Sequence, residues 1–436
     1  MWAAIQITTN LDQTISFLYE KFLESDGVCT DTRSLQENQI FFALKGDNFN
    51  GNAYASKAVE SGALLAVVDE PQKEANEKFL QVDDVLKCLQ QLASHHRDQF
   101  DIPFLGITGS NGKTSTKELV ARVMSSDRKV QYTRGNFNNH IGVPLTLLSI
   151  SSDIEFAIIE MGANHIGEIA ALCQIAKPTH GLITNIGTAH IGEFGGREAI
   201  IRAKSELYDY IRNTNGVPFI NLEDPVLQNM SKRFPNAITY PNELCSIKSA
   251  TPFVNYKDQY GDTHATEMIG AYNFLNISAA VTVGNYFDVA DPYRAIDGYM
   301  PDNNRSQMLE IGSNTIILDA YNANPDSIRV ALDNLSVIES EHKVAILGDM
   351  KELGEYSNEE HKKIIDYAEA LGLDEVYLVG SDFKSAFDHS HAKVFEKIDG
   401  LISELQKQPL AIATVLIKGS RGMRMEQLTE RADLWT

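Results

Sequence analysis

Hydrophobic residues along this chain fall into short unbroken runs, separated by stretches in which apolar positions recur at helical spacing. A short apolar run bounded by turn residues reads as a strand buried on both faces, and the spaced pattern reads as the amphipathic helix that covers it. Near the N-terminus, IFFALKG (Ile40–Gly46) and LLAVVD (Leu64–Asp69) are such strands, with SKAVESGA as the helix between them, which predicts a small α/β unit over residues 1–85. A polar helical stretch, KCLQQLASHHRDQFD (Lys87–Asp101), follows and stops before Pro103, where a new strand can begin.

From that point FLGIT (Phe104–Thr108), FAIIEMG (Phe156–Gly162) and GLITNIG (Gly181–Gly187) alternate with helical patterns such as IGEIAALCQIA (Ile166–Ala176). A third set begins near residue 301 with TIILDA (Thr315–Ala320), KVAILGD (Lys343–Asp349), EVYLVG (Glu375–Gly380) and TVLIKGS (Thr414–Ser420). Strands separated by helices imply parallel sheets with crossover helices, so the fold class is α/β in three domains, 1–85, 86–300 and 301–436. Ligands in such sheets sit beyond the carboxyl ends of the strands, and these runs end in Gly, Asp, Asn or Ser.

Composition narrows the setting. With 436 residues, 43% of them apolar, the chain can bury several cores. No run approaches the ~20 apolar residues that span a bilayer, and MWAAIQITTNLDQ lacks a basic region followed by an apolar core, so a soluble intracellular protein without membrane insertion is expected. Cys29, Cys88, Cys173 and Cys245 are widely spaced and are expected to be free thiols. A net charge of -21 argues against non-specific nucleic-acid binding, so any phosphate site must be built locally.

Such a site is written into the segment after FLGIT. GSNGKTS (Gly109–Ser115) leads into TKELVARVM, whose Leu119, Val120, Val123 and Met124 recur at helical spacing. In a strand, glycine loop and helix of this kind, Gly109 and Gly112 let backbone N–H groups turn inward, and the helix start adds its positive dipole end. Lys113 supplies a mobile charge for the outer phosphates and the Thr114 hydroxyl can ligate magnesium, so a nucleoside triphosphate is the expected ligand of Gly109, Ser110, Asn111, Gly112, Lys113, Thr114 and Ser115. The general nucleotide-loop motif places its first glycine where Ile107 stands, with Gly106 one residue earlier.

Glu160 ends one strand and His190 follows another, so both reach the loop if those strands neighbour it. A carboxylate and a neutral imidazole suit a divalent cation touching the γ-phosphate, although a strand-end Glu can equally cap a helix and a lone His is often structural. Lys204, in REAIIRAKSELYDYI, reads from spacing alone as an ordinary helical lysine.

Together, TGSNGKTSTKE (Thr108–Glu118), GNFNNHIGVP (Gly135–Pro144), IIEMGANHIGEI (Ile158–Ile169), TNIGTAHIGEFG (Thr184–Gly195) and AKSELY (Ala203–Tyr208) resemble the Mur ligase family, the cytoplasmic ATP-dependent amide ligases of peptidoglycan precursor synthesis. The displaced first glycine is usual there. LDAYNANPDSI (Leu318–Ile328) and LGDMKELG (Leu347–Gly354) are similar to segments of the dipeptide-adding members, which join D-alanyl-D-alanine to UDP-N-acetylmuramoyl-tripeptide. DTRSLQENQIFFALKGDNFNG (Asp31–Gly51) is similar to their UDP-sugar segment, except for Asn50–Asn52, where the family more often carries Asp-Gly-His.

The resemblance implies an N-terminal UDP-substrate domain, a central P-loop mononucleotide-binding domain and a C-terminal Rossmann-like domain. It implies that Lys113 holds the β and γ phosphates, that Thr114 holds one magnesium ion, and that Glu160 with His190 holds a second. Lys204 matches a lysine that related ligases carbamylate, Arg305 an arginine near the γ-phosphate, Asn273 and Asn276 the adenine segment, and Asp319 a nucleotide contact. Substrate contacts are implied at Asp31, Thr32, Arg33, Lys45, Gly46, Asn136, Asn138, Asn139, Tyr321, Asn322 and Asn324. A monomer working through an acyl phosphate, with domain closure around the nucleotide, completes the expectation. The member that adds the third residue often carries Asp-Asn-Pro-Arg, which is absent here; a folylpolyglutamate synthase would lack the N-terminal segment. A non-catalytic nucleotide-binding regulator would leave Glu160 and His190 without a purpose.

Overall fold

The computed structural model describes residues 11–72, 76–301, 305–388 and 391–436. Residues 1–10, on which the reading of the N-terminus as leaderless largely rests, lie outside those described, as do the three residues ahead of Arg305.

The N-terminal unit is a four-stranded parallel sheet in the order Val28–Cys29, Ile40–Phe42, Leu65–Val68, Phe79–Gln81. Phe41, Ala66 and Val68 pack on one face with Ala55 and Ala58 of the helix Ala55–Glu60. Ile40, Phe42, Leu65 and Val67 pack on the other with Leu18, Leu89 and Leu92. Both faces are covered, which is why the runs are unbroken rather than alternating. The helix read from Lys87 starts earlier, at Val85–Arg97, because the Asp84 carboxylate accepts from the Lys87 amide and caps it. Its apolar side shares one cluster with Val143, Leu147 and Leu172 of the central unit, so the two units are packed together along it.

The central sheet is parallel throughout, in the order Ile238–Tyr240, Val217–Asn221, His180–Ile183, Phe104–Thr108, Phe156–Glu160, Val130–Tyr132. Phe104–Thr108 therefore lies between the strand that ends in Glu160 and the strand that leads to His190. Thr108 pairs with Ile183 and Ile107 with Glu160, which brings the three carboxyl ends to one level. A three-stranded antiparallel sheet (Cys245–Ser249, Phe253–Asp258, Thr263–Ile269) follows, and the helix Asn273–Tyr286 then packs against the loop helix Lys113–Met124.

The C-terminal sheet runs in the order Gln307–Ile311, Asn314–Asp319, Thr414–Lys418, Lys343–Gly348, Glu375–Val379, Lys393–Phe395, parallel except for its first strand. Among the described residues no helix is long and apolar enough to cross a membrane, and the four cysteines are free and buried.

Candidate active site

A cavity of about 1270 Å³ opens where the carboxyl ends of the central strands meet the C-terminal unit. Its floor is the glycine loop. Gly109 has φ +142°, and a Cβ there would fall 2.0 Å from Thr184 Oγ1; Gly112 has φ +77° and Asn276 Oδ1 2.8 Å from the same hypothetical atom. Only glycine fits either position. The loop amides do not all turn inward as the sequence suggested. Ser110 N donates to the Asn185 carbonyl and Asn111 N to Asn185 Oδ1, both at 3.0 Å, so Asn185 moulds the loop and consumes those donors. The donors left for phosphate are the amides at the start of Lys113–Met124, which have no intrahelical acceptor.

Lys113 Nζ folds back onto its own loop, donating to the Gly109 carbonyl at 2.6 Å and the Ser110 carbonyl at 3.1 Å. Removal from water pushes its pKa down to about 8, a shift that nearby Glu160 opposes and Arg305 reinforces. Thr114, one residue on, donates its hydroxyl to Glu160 Oε1 at 3.3 Å, and Asn138 Nδ2 reaches the same oxygen at 2.8 Å. The second oxygen, Glu160 Oε2, is buried without a hydrogen-bond partner; Lys117 Nζ stands 3.8 Å away. Lys117, fully buried, donates instead to the Thr133 carbonyl at 2.7 Å and lies 3.0 Å from Glu118. Sequence reading passed over Lys117 although it stands inside TGSNGKTSTKE; a lysine on the buried face of a helix was the available signal.

His190 also lines the cavity, but on its own cluster. Its Nδ1 is 2.7 Å from Glu352 Oε2 and 3.4 Å from Glu193 Oε2. The imidazole holds Glu352 below the usual carboxylate range, against the upward push of burial. Lys204 is 1% exposed, donates to the Ala163 carbonyl at 3.3 Å and lies over the Phe194 ring at 5.2 Å. Burial, with Lys113 nearby, pushes its pKa down to about 7, which is no property of an ordinary surface lysine.

The remaining wall brings in the other predicted residues. Asn276 Nδ2 donates to Asn273 Oδ1 at 2.8 Å, and both line the cavity. Arg305 stacks on Tyr321, 3.7 Å from the ring centroid, with its Nε buried and without a hydrogen-bond partner. Asp319 is ion-paired at 2.5 Å with Lys418, a buried strand-end lysine that the sequence reading did not single out. Asn136, Asn138, Asn139, Asn322 and Asn324 line the same space, with Asn139 Oδ1 also accepting from the Ile141 and Gly142 amides.

Asp31, Thr32, Arg33, Lys45 and Gly46 do not line this cavity. They follow the strands of the N-terminal sheet at its carboxyl edge, where Arg33 pairs with Asp31 at 2.6 Å and Lys45 with Asp69 and Glu70 at 2.9 Å. The departure at Asn52 is accommodated there: its buried side chain donates to Asp69 Oδ1 at 2.8 Å and accepts from the Asp69 and Glu70 amides.

Comparison with known proteins agrees with this geometry. The Mur ligase middle domain matches residues 107–284, the Mur ligase glutamate ligase domain 304–421, and the Mur ligase family catalytic domain 24–97. The UDP-N-acetylmuramoyl-tripeptide--D-alanyl-D-alanine ligase of Bacillus subtilis is 33% identical over 93% of this chain and 92% of its own. The enzyme of the same name from Synechocystis is 36% identical over 82% of this chain and 80% of its own. Among solved structures, MurF from Acinetobacter baumannii superposes with TM-score 0.85 at 30% identity, covering 99% of this chain and 98% of that one. The MurF ligase from Thermotoga maritima in complex with ADP gives 0.84 at 25% identity, covering 94% and 98%. The chain belongs to the Mur ligase family, as a MurF-type member.

Proposed function

We propose that this ATP-dependent ligase adds D-alanyl-D-alanine to UDP-N-acetylmuramoyl-tripeptide, in peptidoglycan precursor synthesis, by activating the tripeptide carboxylate as an acyl phosphate at the Gly109–Thr114 loop. The relatives that carry this activity in their names span nearly the whole chain, and a neighbour of matching fold holds ADP.

The observation that carries the reading is Glu160. A buried carboxylate oxygen without a hydrogen-bond partner is costly, and a cation relieves that cost. Glu160 and the Thr114 hydroxyl beside it are hard oxygen donors of the kind magnesium takes with nucleotide phosphates. Thr114 and Glu160 would hold one ion; His190, which the resemblance set with Glu160 but which stands in its own cluster with Glu193 and Glu352, would serve a second. An ion held by these residues would supply charge neutralisation for the nucleotide phosphates.

The chain's own groups do the rest. An anionic carboxylate must approach an anionic phosphate, so Lys113 and Arg305 place positive charge where negative charge accumulates. The carboxylate oxygen attacks the γ-phosphorus and ADP departs; the dipeptide amine then attacks the acyl carbon and phosphate departs, leaving an amide. An acyl phosphate hydrolyses if water reaches it, so the C-terminal unit closing over the loop protects the intermediate. A Lys204 amine pushed down to about 7 is substantially neutral near neutral pH, as attack on carbon dioxide requires, which supports carbamylation of that side chain. The form proposed is a cytoplasmic monomer, as the resemblance implies.

The test is phosphate release with ATP, magnesium and UDP-N-acetylmuramoyl-tripeptide, comparing D-alanyl-D-alanine with single amino acids. Release is expected only with the dipeptide; equal support from a single amino acid overturns the assignment. Bridge-to-nonbridge oxygen exchange in ATP, with tripeptide but no dipeptide, is expected from a reversible acyl phosphate.

A further inference from the structure

The LGDMKELG segment marks the subfamily but has no part in the chemistry described above, although it packs backbone against backbone on the central unit. Gly192 N donates to the Glu352 carbonyl at 3.1 Å, and a Cβ on Gly192 would lie 2.3 Å from the Leu353 carbonyl carbon. At this seam Glu352 Oε2 stands 2.7 Å from His190 Nδ1. Both residues hold left-handed backbone, φ +67° for Glu352 and +59° for His190, a conformation unfavourable for any residue with a Cβ. Strain of this kind persists where surrounding structure imposes it and clusters at functional sites. Two strained residues from two domains meet side chain to side chain.

We infer that Glu352 is a positioning residue, carried to His190 by the C-terminal domain, that holds the imidazole proton on Nδ1 and leaves Nε2 as the ring's lone pair. The inference rests on the reading above that His190 serves a cation. A neutral imidazole has one N–H and one acceptor nitrogen, and the group beside one nitrogen decides which is which. His190 Nδ1 is buried and has no aligned hydrogen-bond partner, so the carboxylate at 2.7 Å is the acceptor that a small rotation of either side chain engages. Glu193, on the same helical turn as His190, stands farther off at 3.4 Å. A carboxylate behind a ligating histidine fixes its tautomer and raises its basicity. Here the carboxylate belongs to another domain, so His190 takes its ligating form only where the C-terminal domain sits against the central one, as it does at this seam.

The tautomer can be read directly. Full-length protein labelled with ¹⁵N-histidine, bound to a non-hydrolysable ATP analogue, magnesium and UDP-N-acetylmuramoyl-tripeptide, gives a long-range ¹H–¹⁵N spectrum in which His190 is assigned by its loss in His190→Gln. The expected wild-type pattern is protonated Nδ1 and bare Nε2. Glu352→Ala should shift His190 toward protonated Nε2 and lower kcat by ~10–100-fold, with the KM for ATP little changed. Glu352→Gln, whose carbonyl still accepts from Nδ1, should restore the wild-type tautomer. A wild-type complex with Nε2 protonated, or with both nitrogens protonated, overturns the inference, and so does an unchanged tautomer in Glu352→Ala. Failure of dipeptide-dependent phosphate release in the wild type would instead strike the functional reading, so the two are separable.

Discussion

Asn324 Nδ2 donates to Asn111 Oδ1 at 2.7 Å, so the C-terminal domain grips the phosphate loop itself. The opposite end of the same side chain caps the helix Pro325–Val337, accepting from the Ser327 amide at 2.9 Å while Ser327 Oγ accepts from the Asn324 amide. One asparagine thus does two jobs with two atoms, and substitution can separate them. Asn324→Asp keeps the cap, loses the donor and sets a carboxylate beside the phosphates. It should leave thermal stability near wild type and raise the KM for ATP roughly tenfold, about 1.4 kcal/mol. Asn324→Ala loses both and should also cost about 1 kcal/mol of stability. A wild-type KM in Asn324→Asp would show that the loop contact is idle.

Lys113 carries a pH signature. Its amine ordinarily titrates near 10.5 and is held at about 8 by burial in the folded protein. Between those values the unfolded chain binds more protons than the native one, so the nucleotide-free protein gains stability as pH rises through that window. Polyphosphate favours the charged amine, so nucleotide binding should take up a proton above pH 8 and weaken as pH rises further. Calorimetry in two buffers of different ionisation enthalpy measures the uptake. Lys113→Ala should abolish the uptake and lower kcat by at least roughly 10²–10³. Near-normal ligation by folded Lys113→Ala would sink the assignment of the loop.

What could be read in advance follows from burial. Ile40–Phe42 and Phe104–Thr108 are covered on both faces, so their hydrophobic runs are unbroken and plain in the sequence. Cys245–Ser249 is exposed along nearly its whole length and Thr263–Ile269 along one side, and they carry Ser, Lys, Thr and Glu there, so the antiparallel sheet they build leaves a faint trace. Glu160 and His190 were legible as strand-end groups, but their approach to the loop depends on strand order, which no local pattern encodes. The pairing of His190 with Glu352 was hidden for the same reason: it is made between domains, and its 2.7 Å approach is set by how they pack.

Lys204 should respond to carbon dioxide. Its amine, pushed down to about 7, becomes neutral as pH rises through that value, and only the neutral form attacks carbon dioxide. With ¹³C-bicarbonate above pH 7, the protein should show a carbamate carbon resonance that is absent from Lys204→Arg. Ligation by enzyme depleted of carbon dioxide should fall and recover on adding bicarbonate. Activity indifferent to depletion, with no labelled resonance, would leave Lys204 an unmodified buried amine.

Closure can be blocked without touching the loop. Gly192 sits in the one-turn helix Ile191–Phe194, and the atoms its Cβ would meet are Leu353 and Gly354 backbone, 2.3 and 2.4 Å away, which cannot rotate aside. Alanine favours helix over glycine by about 1 kcal/mol, so Gly192→Ala should not weaken the central domain. It should instead hold the C-terminal domain off. Small-angle scattering should then show compaction of the wild type, but not of the variant, on adding a non-hydrolysable ATP analogue and UDP-N-acetylmuramoyl-tripeptide. Because Arg305 and Asn324 arrive with that domain and the glycine loop does not, nucleotide binding should weaken but persist while dipeptide-dependent phosphate release is lost. A Gly192→Ala enzyme that compacts and ligates like the wild type would mean that the Gly192–Leu353 approach is not part of the reacting form.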